Sequence, residues 1–182
     1  MTTLDARCLD AFPNWLRTLA EDARGLAGVL EQESSPSAAR HAAAALNYLF
    51  KSLDLIPDGL EDLGYIDDAF VLRAAAQAVK EESEADLAAD SSGTLARLAE
   101  GAELVREFLG PEYARLAKYV AGLEQGSARG RTVNVILTDP AVRADFVGEV
   151  QQWADGYTVP SFSRDDRNLV KLRSFLLAKL PA

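Results

Sequence analysis

Apolar residues return every three or four positions along nearly the whole chain, and Ser-Pro, Gly-Pro and Asp-Pro pairs interrupt them. That period keeps one face of an α-helix dry, and such pairs mark helix starts and stops. Trp15, Leu16, Leu19, Ala23, Leu26 and Leu30 predict a long helix after Pro13. Ser35 is placed to cap a second helix with Pro36 in its first turn, carrying Leu46, Leu49, Phe50 and Leu53. Ile66, Phe70, Ala74 and Ala78 mark a third. A break at Ser91-Ser92-Gly93 precedes a fourth through Leu95, Leu98, Ala102, Val105 and Leu109, ended by Gly110-Pro111, with a shorter helix from Glu112 to Leu123. Val133 to Leu137 is β-branched enough for a strand but isolated, and helix is the preferred reading. Asp139-Pro140 opens a helix bearing Val142, Phe146, Val150 and Trp153. Ser163 and Asp166 have the spacing of a capping box for a last helix through Leu180. The expectation is an all-α multi-helix bundle, one domain over 1–182, with a flexible connection at 124–131.

Within this pattern the stretch from Tyr48 to Asp68 stands apart. It interleaves apolar residues with Asp54, Asp58, Glu61, Asp62, Asp67 and Asp68, and no basic residue occurs from Asp54 to Leu72. Pro57 has no amide hydrogen and disfavours helix at Ile56, so the helix containing Tyr48 is expected to end near Asp54. Asp58 and Glu61 have capping-box spacing for a short helical turn to Gly64. Asp67 and Asp68 fall where a helix macrodipole favours negative charge. Caps and dipoles thus account for most of these carboxylates. The alternative is that the turn gathers Asp54, Asp58, Asp67 and Asp68 around a hard cation, Mg²⁺, Mn²⁺ or Ca²⁺, for which oxygen-only ligands are suited. Adjacent helical positions diverge, so Asp67 and Asp68 are not expected to share one small site if both are helical.

Tyr48, Asp54-Leu55-Ile56-Pro57-Asp58 and Gly64-Tyr65-Ile66-Asp67-Asp68 resemble the signature of the YkvA-like domain of unknown function, as does Ser35-Pro36 before an Ala-rich segment. The resemblance covers about residues 35–80 and implies a helix-turn-helix at the centre of the bundle, with additional C-terminal helices outside it. It implies no activity. Lys51-Ser52 and Glu61-Asp62 replace less polar family positions, which opposes the peripheral membrane association that more apolar relatives suggest.

Other chemistry has little to build on. His41 is the only histidine and is expected as a simple exposed or boundary residue near the start of an Ala-rich helix; Cys8 is the only cysteine, so zinc and internal disulfides are not expected. The Gly126 to Gly130 stretch, flanked by arginines, lacks the Gly-Lys-Ser/Thr of a phosphate loop. A net charge of −9 opposes nucleic-acid binding. Charges interrupt every apolar run, so no transmembrane segment is expected, and Asp5, Arg7 and Asp10 argue against an apolar leader after Met1. The basic residues Arg164, Arg167, Lys171, Arg173 and Lys179 are read either as a solvated face or as a surface that meets the acidic segment of this chain or of a second copy. The overall expectation is a cytoplasmic, non-enzymatic interaction or structural protein, with a protein partner or a homo-oligomer. The rivals are a divalent-metal-binding protein or enzyme and, third, a peripheral membrane protein.

Overall fold

The computed structural model describes residues 2–32, 35–52 and 54–182, so the expected burial of Leu53 lies outside the described residues. The first helix, α1 (Thr3–Glu31), begins earlier than the sequence suggests. Thr2 and Asp5 close a capping box at its start, and Pro13 sits inside the helix, leaving the Leu9 carbonyl without its usual intrahelical donor. Ser35 caps α2 (Pro36–Tyr48) through the Ala38 amide, as its spacing predicts, but α2 stops at Tyr48, ahead of Asp54. Among the described residues, turns and bends lead from α2 to Tyr65, after which α3 (Ile66–Glu82) begins.

Ser83 then caps a short α4 (Glu84–Ala89), which periodicity does not separate from α3. The next helices are α5 (Thr94–Leu109) and α6 (Tyr113–Gly122). The 124–131 stretch, expected as a flexible connection, contains the end of a 3-10 turn (Leu123–Gln125) and most of a two-stranded hairpin of β1 (Ser127–Ala128) and β2 (Arg131–Thr132). Arg129 and Gly130 both have positive φ, as a two-residue hairpin turn demands. Val133 to Leu137 is helical, within α7 (Val133–Thr138). Asp139 caps α8 (Pro140–Gly156) through the amides of Ala141 and Val142. The cap of α9 (Asp166–Lys179) is Asp165, which accepts from the Arg167 amide, and not Ser163.

The protein is an all-α multi-helix bundle whose only sheet, among the described residues, is that hairpin. Helix α3 is its axis, packing against α1, α2, α5 and α6. Nearly every side chain from Ile66 to Gln77 is buried, the pattern of a helix enclosed on all sides. Phe12, Phe70 and Phe108 meet edge to face at ring-centroid distances of 5.1, 5.3 and 6.0 Å, tying α1, α3 and α5 together. One continuous cluster of buried residues runs from Cys8 to Leu180. Among the described residues, no helix is long and apolar enough to cross a membrane.

Candidate functional site

The turns between α2 and α3 fold back over the start of α3. Leu55, Ile56, Leu63 and Ile66 are buried and anchor them, while Leu60 and Tyr65 are half-buried. Asp62 and Tyr65 are both left-handed, at φ 63° and 64°. Such conformations are sparsely populated for residues with side chains and persist where neighbours enforce them. Gly64 supplies one constraint, because a Cβ there would overlap the Asp58 carbonyl. Asp62 supplies another: it accepts from the Ser163 amide at 2.9 Å and the Ser163 hydroxyl at 2.8 Å, pinning the segment before α9 to the turn.

The polar centre is a latch. The Tyr48 hydroxyl donates to Asp67 Oδ2 at 2.6 Å and accepts from the Leu55 amide at 2.8 Å; the same Asp67 oxygen accepts from the Ile56 amide at 3.0 Å. Two buried loop amides are thereby satisfied by one tyrosine and one carboxylate. Asp67 caps the loop and not its own helix, which explains why helix-end reasoning assigned it another role.

The four acidic residues singled out in the sequence do come together here. Burial, then Asp58 and Asp67, push the half-buried Asp54 carboxyl up to about 7, with Lys51 opposing. Burial raises Asp58, opposed by the Tyr65 hydroxyl. Burial also raises Asp67, against its hydrogen bonds from Tyr48 and Ile56. Asp68 is raised well above the carboxylate range by burial, then by Asp67, Asp58 and Asp54. The capping box expected at Asp58 and Glu61 is not formed: among the described residues no amide donates to Asp58, and 58–65 is a series of turns.

Asp67 and Asp68 diverge as adjacent helical residues must. Asp67 lies on the side of Tyr48 and Tyr119, whose hydroxyl it helps to push up to about 12 after burial. Asp68 lies toward Tyr157 and Tyr65. Among the described residues no three His, Cys, Asp or Glu side chains converge closely enough to hold one metal ion. Yet each of the four aspartates keeps one buried carboxylate oxygen without a hydrogen-bond partner: Oδ1 of Asp54, Asp58 and Asp67, and Oδ2 of Asp68.

Residues 41–73 match the family model described as protein of unknown function, DUF1232. No curated protein and no solved structure matches the chain significantly. The DUF1232 segment thus spans the second half of α2, the latch, all four aspartates and the first half of α3.

Beside it lies an open groove of 510 Å³ lined by Tyr65, Gln152, Trp153, Gly156, Tyr157 and Thr158. Tyr65 meets Tyr157 at 5.3 Å and Trp153 at 6.3 Å, and Trp153 meets Tyr157 at 5.2 Å. Trp153 follows the apolar spacing of its helix, but it is only half-buried, on this shelf. Tyr65 is flagged by the signature, whereas nothing in the sequence links it to Trp153 or Tyr157 so far along the chain.

The isolated reactive side chains are engaged elsewhere. His41, expected to be exposed or at the boundary, is buried, with Nε2 2.9 Å from Glu82 and Nδ1 3.2 Å from Glu124. Burial pushes the Cys8 thiol up to about 11. Three of the basic residues around α9 are engaged away from the acidic segment: Arg164 pairs with Asp10, Arg167 with Asp165, and Arg173 donates to the Phe108 carbonyl.

Proposed function

We propose that the protein is a non-enzymatic, cytoplasmic interaction module that holds a positively charged segment of a protein partner in the groove beside its DUF1232 segment. The observation that carries this reading is the Tyr65, Trp153 and Tyr157 shelf, set directly against the side of the site that holds Asp58 and Asp68. Aromatic faces attract ammonium and guanidinium groups, and the net charge of −9 favours approach of a basic segment. The latch supports the reading because it spends the signature's Tyr48 and Asp67 on the loop's own backbone, making a stiff platform from them. The cytoplasmic setting rests on the single cysteine, which suits a reducing compartment.

Tryptophan fluorescence, titrated with a Lys/Arg-rich peptide in the presence of chelator, tests this. Saturable binding is expected, weakened by salt and absent for a peptide with Gln at the basic positions. Trp153→Ala is expected to weaken it by roughly 2- to 30-fold, from a cation–π contribution of about 0.5 to 2 kcal/mol. Equal binding of both peptides, or binding indifferent to Trp153→Ala, overturns the proposal. Concentration-dependent self-association lost in the same variant would identify a second copy as the partner instead.

A further inference from the structure

In a protein of net charge −9, one open groove of 460 Å³ is lined by cations. Lys51 and Ser52 line it from the turn that follows α2, and Ser127 and Arg129 line it from the β1–β2 hairpin; it shares no residue with the aromatic shelf. The sequence offers these two segments separately, Lys51-Ser52 as a polar departure from the family signature and Gly126 to Gly130 as a glycine-rich stretch without the phosphate-loop motif. The fold brings them together, and neither cation is fully neutralised there. Arg131, in the same hairpin, engages both oxygens of Glu149 at 2.8 and 2.7 Å, which leaves Arg129 one longer contact of 3.4 Å to that carboxylate. Arg129 instead stacks over the Phe50 ring at 4.6 Å, a contact that orients a guanidinium and keeps its donors free, and its side chain is 60% exposed. Lys51 makes no ion pair among the described residues. It donates to the Tyr119 hydroxyl at 3.3 Å and lies 5.8 and 5.3 Å from the Tyr48 and Tyr119 ring centroids, with ammonium protons to spare. Asp54 is within the field of Lys51, but burial pushes its carboxyl up to about 7, so it carries only part of a charge at neutral pH. The Ser52 and Ser127 residues are exposed, and their hydroxyls make no hydrogen bond among the described residues.

We propose that this groove binds a small phosphate monoester through Lys51, Arg129 and the hydroxyls of Ser52 and Ser127. A terminal phosphate presents three strong acceptor oxygens, enough to use an ammonium, a guanidinium and a hydroxyl at once, whereas a carboxylate would leave donors idle. Lysine supplies a point charge and arginine a planar fork, the two side chains that phosphate recognition draws on most. Phe50 and Ala128, both buried, complete the lining with apolar surface against which the organic group of an ester rests. The negative charge of the rest of the molecule repels long polyanions such as RNA or DNA, so the groove selects a small ligand. The proposal is independent of the peptide-binding reading, since the two grooves differ in place and in the sign of the ligand they attract.

The ³¹P resonance of glycerol 3-phosphate, followed as the intact chain is added, tests this. Saturable binding is expected, weakened by salt and competed by inorganic phosphate. Lys51→Gln and Arg129→Asn are each expected to weaken it roughly tenfold or more, the loss that follows removal of one hydrogen bond to a charged group. Asparagine tolerates the left-handed backbone at position 129, where φ is 49°, and circular dichroism checks that both variants keep their helicity. Lys171→Gln, exposed on α9, is expected to bind as the parent does. Vesicles containing phosphatidic acid present the same monoester on a lipid. Retention on them and not on phosphatidylcholine, lost in both groove variants, would identify a lipid headgroup as the source; binding of glycerol 3-phosphate without retention would identify a soluble ester. Absence of saturable binding to either probe at millimolar concentration overturns the proposal. So does binding that is unchanged in both folded variants, or that Lys171→Gln weakens as much as they do.

Discussion

At the scale of single residues, Asp67 and Tyr48 matter because each satisfies groups that no water reaches. Tyr48→Phe removes the donor to Asp67 and the acceptor of the Leu55 amide, yet leaves the ring in place. Stranding one buried amide costs about 1 to 3 kcal/mol, and a loss in that range is expected in urea denaturation. Asp67→Ala is expected to cost more, since it strands both the Ile56 amide and the Tyr48 hydroxyl. Asp67→Asn keeps a carbonyl oxygen for both donors and removes a charge that burial opposes, so in metal-free buffer it is expected to approach or exceed parental stability. If Asn were as damaging as Ala, the carboxylate charge itself, and not its acceptor geometry, would be holding the loop.

At the scale of the loop and helices, the raised carboxyls set a pH dependence. A group whose folded pKa lies above its unfolded value binds its proton more tightly in the fold, so it favours folding at low pH and loses that effect as pH rises through the folded value. Asp54 is raised to about 7, and Asp58, Asp67 and Asp68 are raised as well. In chelator, the melting temperature is therefore expected to fall between pH 5 and pH 8, and Asp54→Asn to flatten that fall. Asp165 works the other way, held down to about 2 by its bonds from Arg167, but it lies at the surface and its influence lies below pH 4. A melting temperature that rises from pH 5 to 8 would show that the cluster is not the dominant titrating unit.

The same elements show what can be read from one sequence. Ser35-Pro36 and Asp139-Pro140 mark helix starts correctly because a cap and a following proline act within one turn. Pro13 misleads because tertiary packing of Phe12 and Leu16 carries α1 across the missing donor. The early stop of α2 reflects the Leu55 and Ile56 amides turning toward Tyr48 and Asp67, partners that local propensity does not reveal. The spacing of the four aspartates shows that they can meet. It does not show what surrounds them, because Tyr119 and Tyr157, whose hydroxyls feel these carboxylates, are brought there by helices far along the chain.

For the whole molecule, the joint that holds α1, α3 and α5 in register is an ion cluster inside the bundle. Asp22 on α1 is completely buried; Arg73 on α3 lies 3.5 Å from it and Arg97 on α5 donates to it at 2.5 Å. Burial pulls the Arg73 guanidinium down to about 9, against the attraction of Asp22. Arg73 also stacks over Trp15 at 4.0 Å and donates to the Ala69 carbonyl, and a Cβ on Gly101 would crowd its side chain. Removing one member of a buried pair strands the other, which typically costs 3 to 5 kcal/mol, whereas replacing both with apolar residues of similar volume is often neutral or stabilising. Asp22→Leu is therefore expected to cost about 3 to 5 kcal/mol in urea denaturation, and Asp22→Leu with Arg73→Met to recover most of that loss. Arg97 is half-exposed and can turn to solvent, so it does not demand a third substitution. Additive losses in the double variant would mean that Arg73 holds the bundle through Trp15 and the Ala69 carbonyl, and that its charge pairing with Asp22 is secondary.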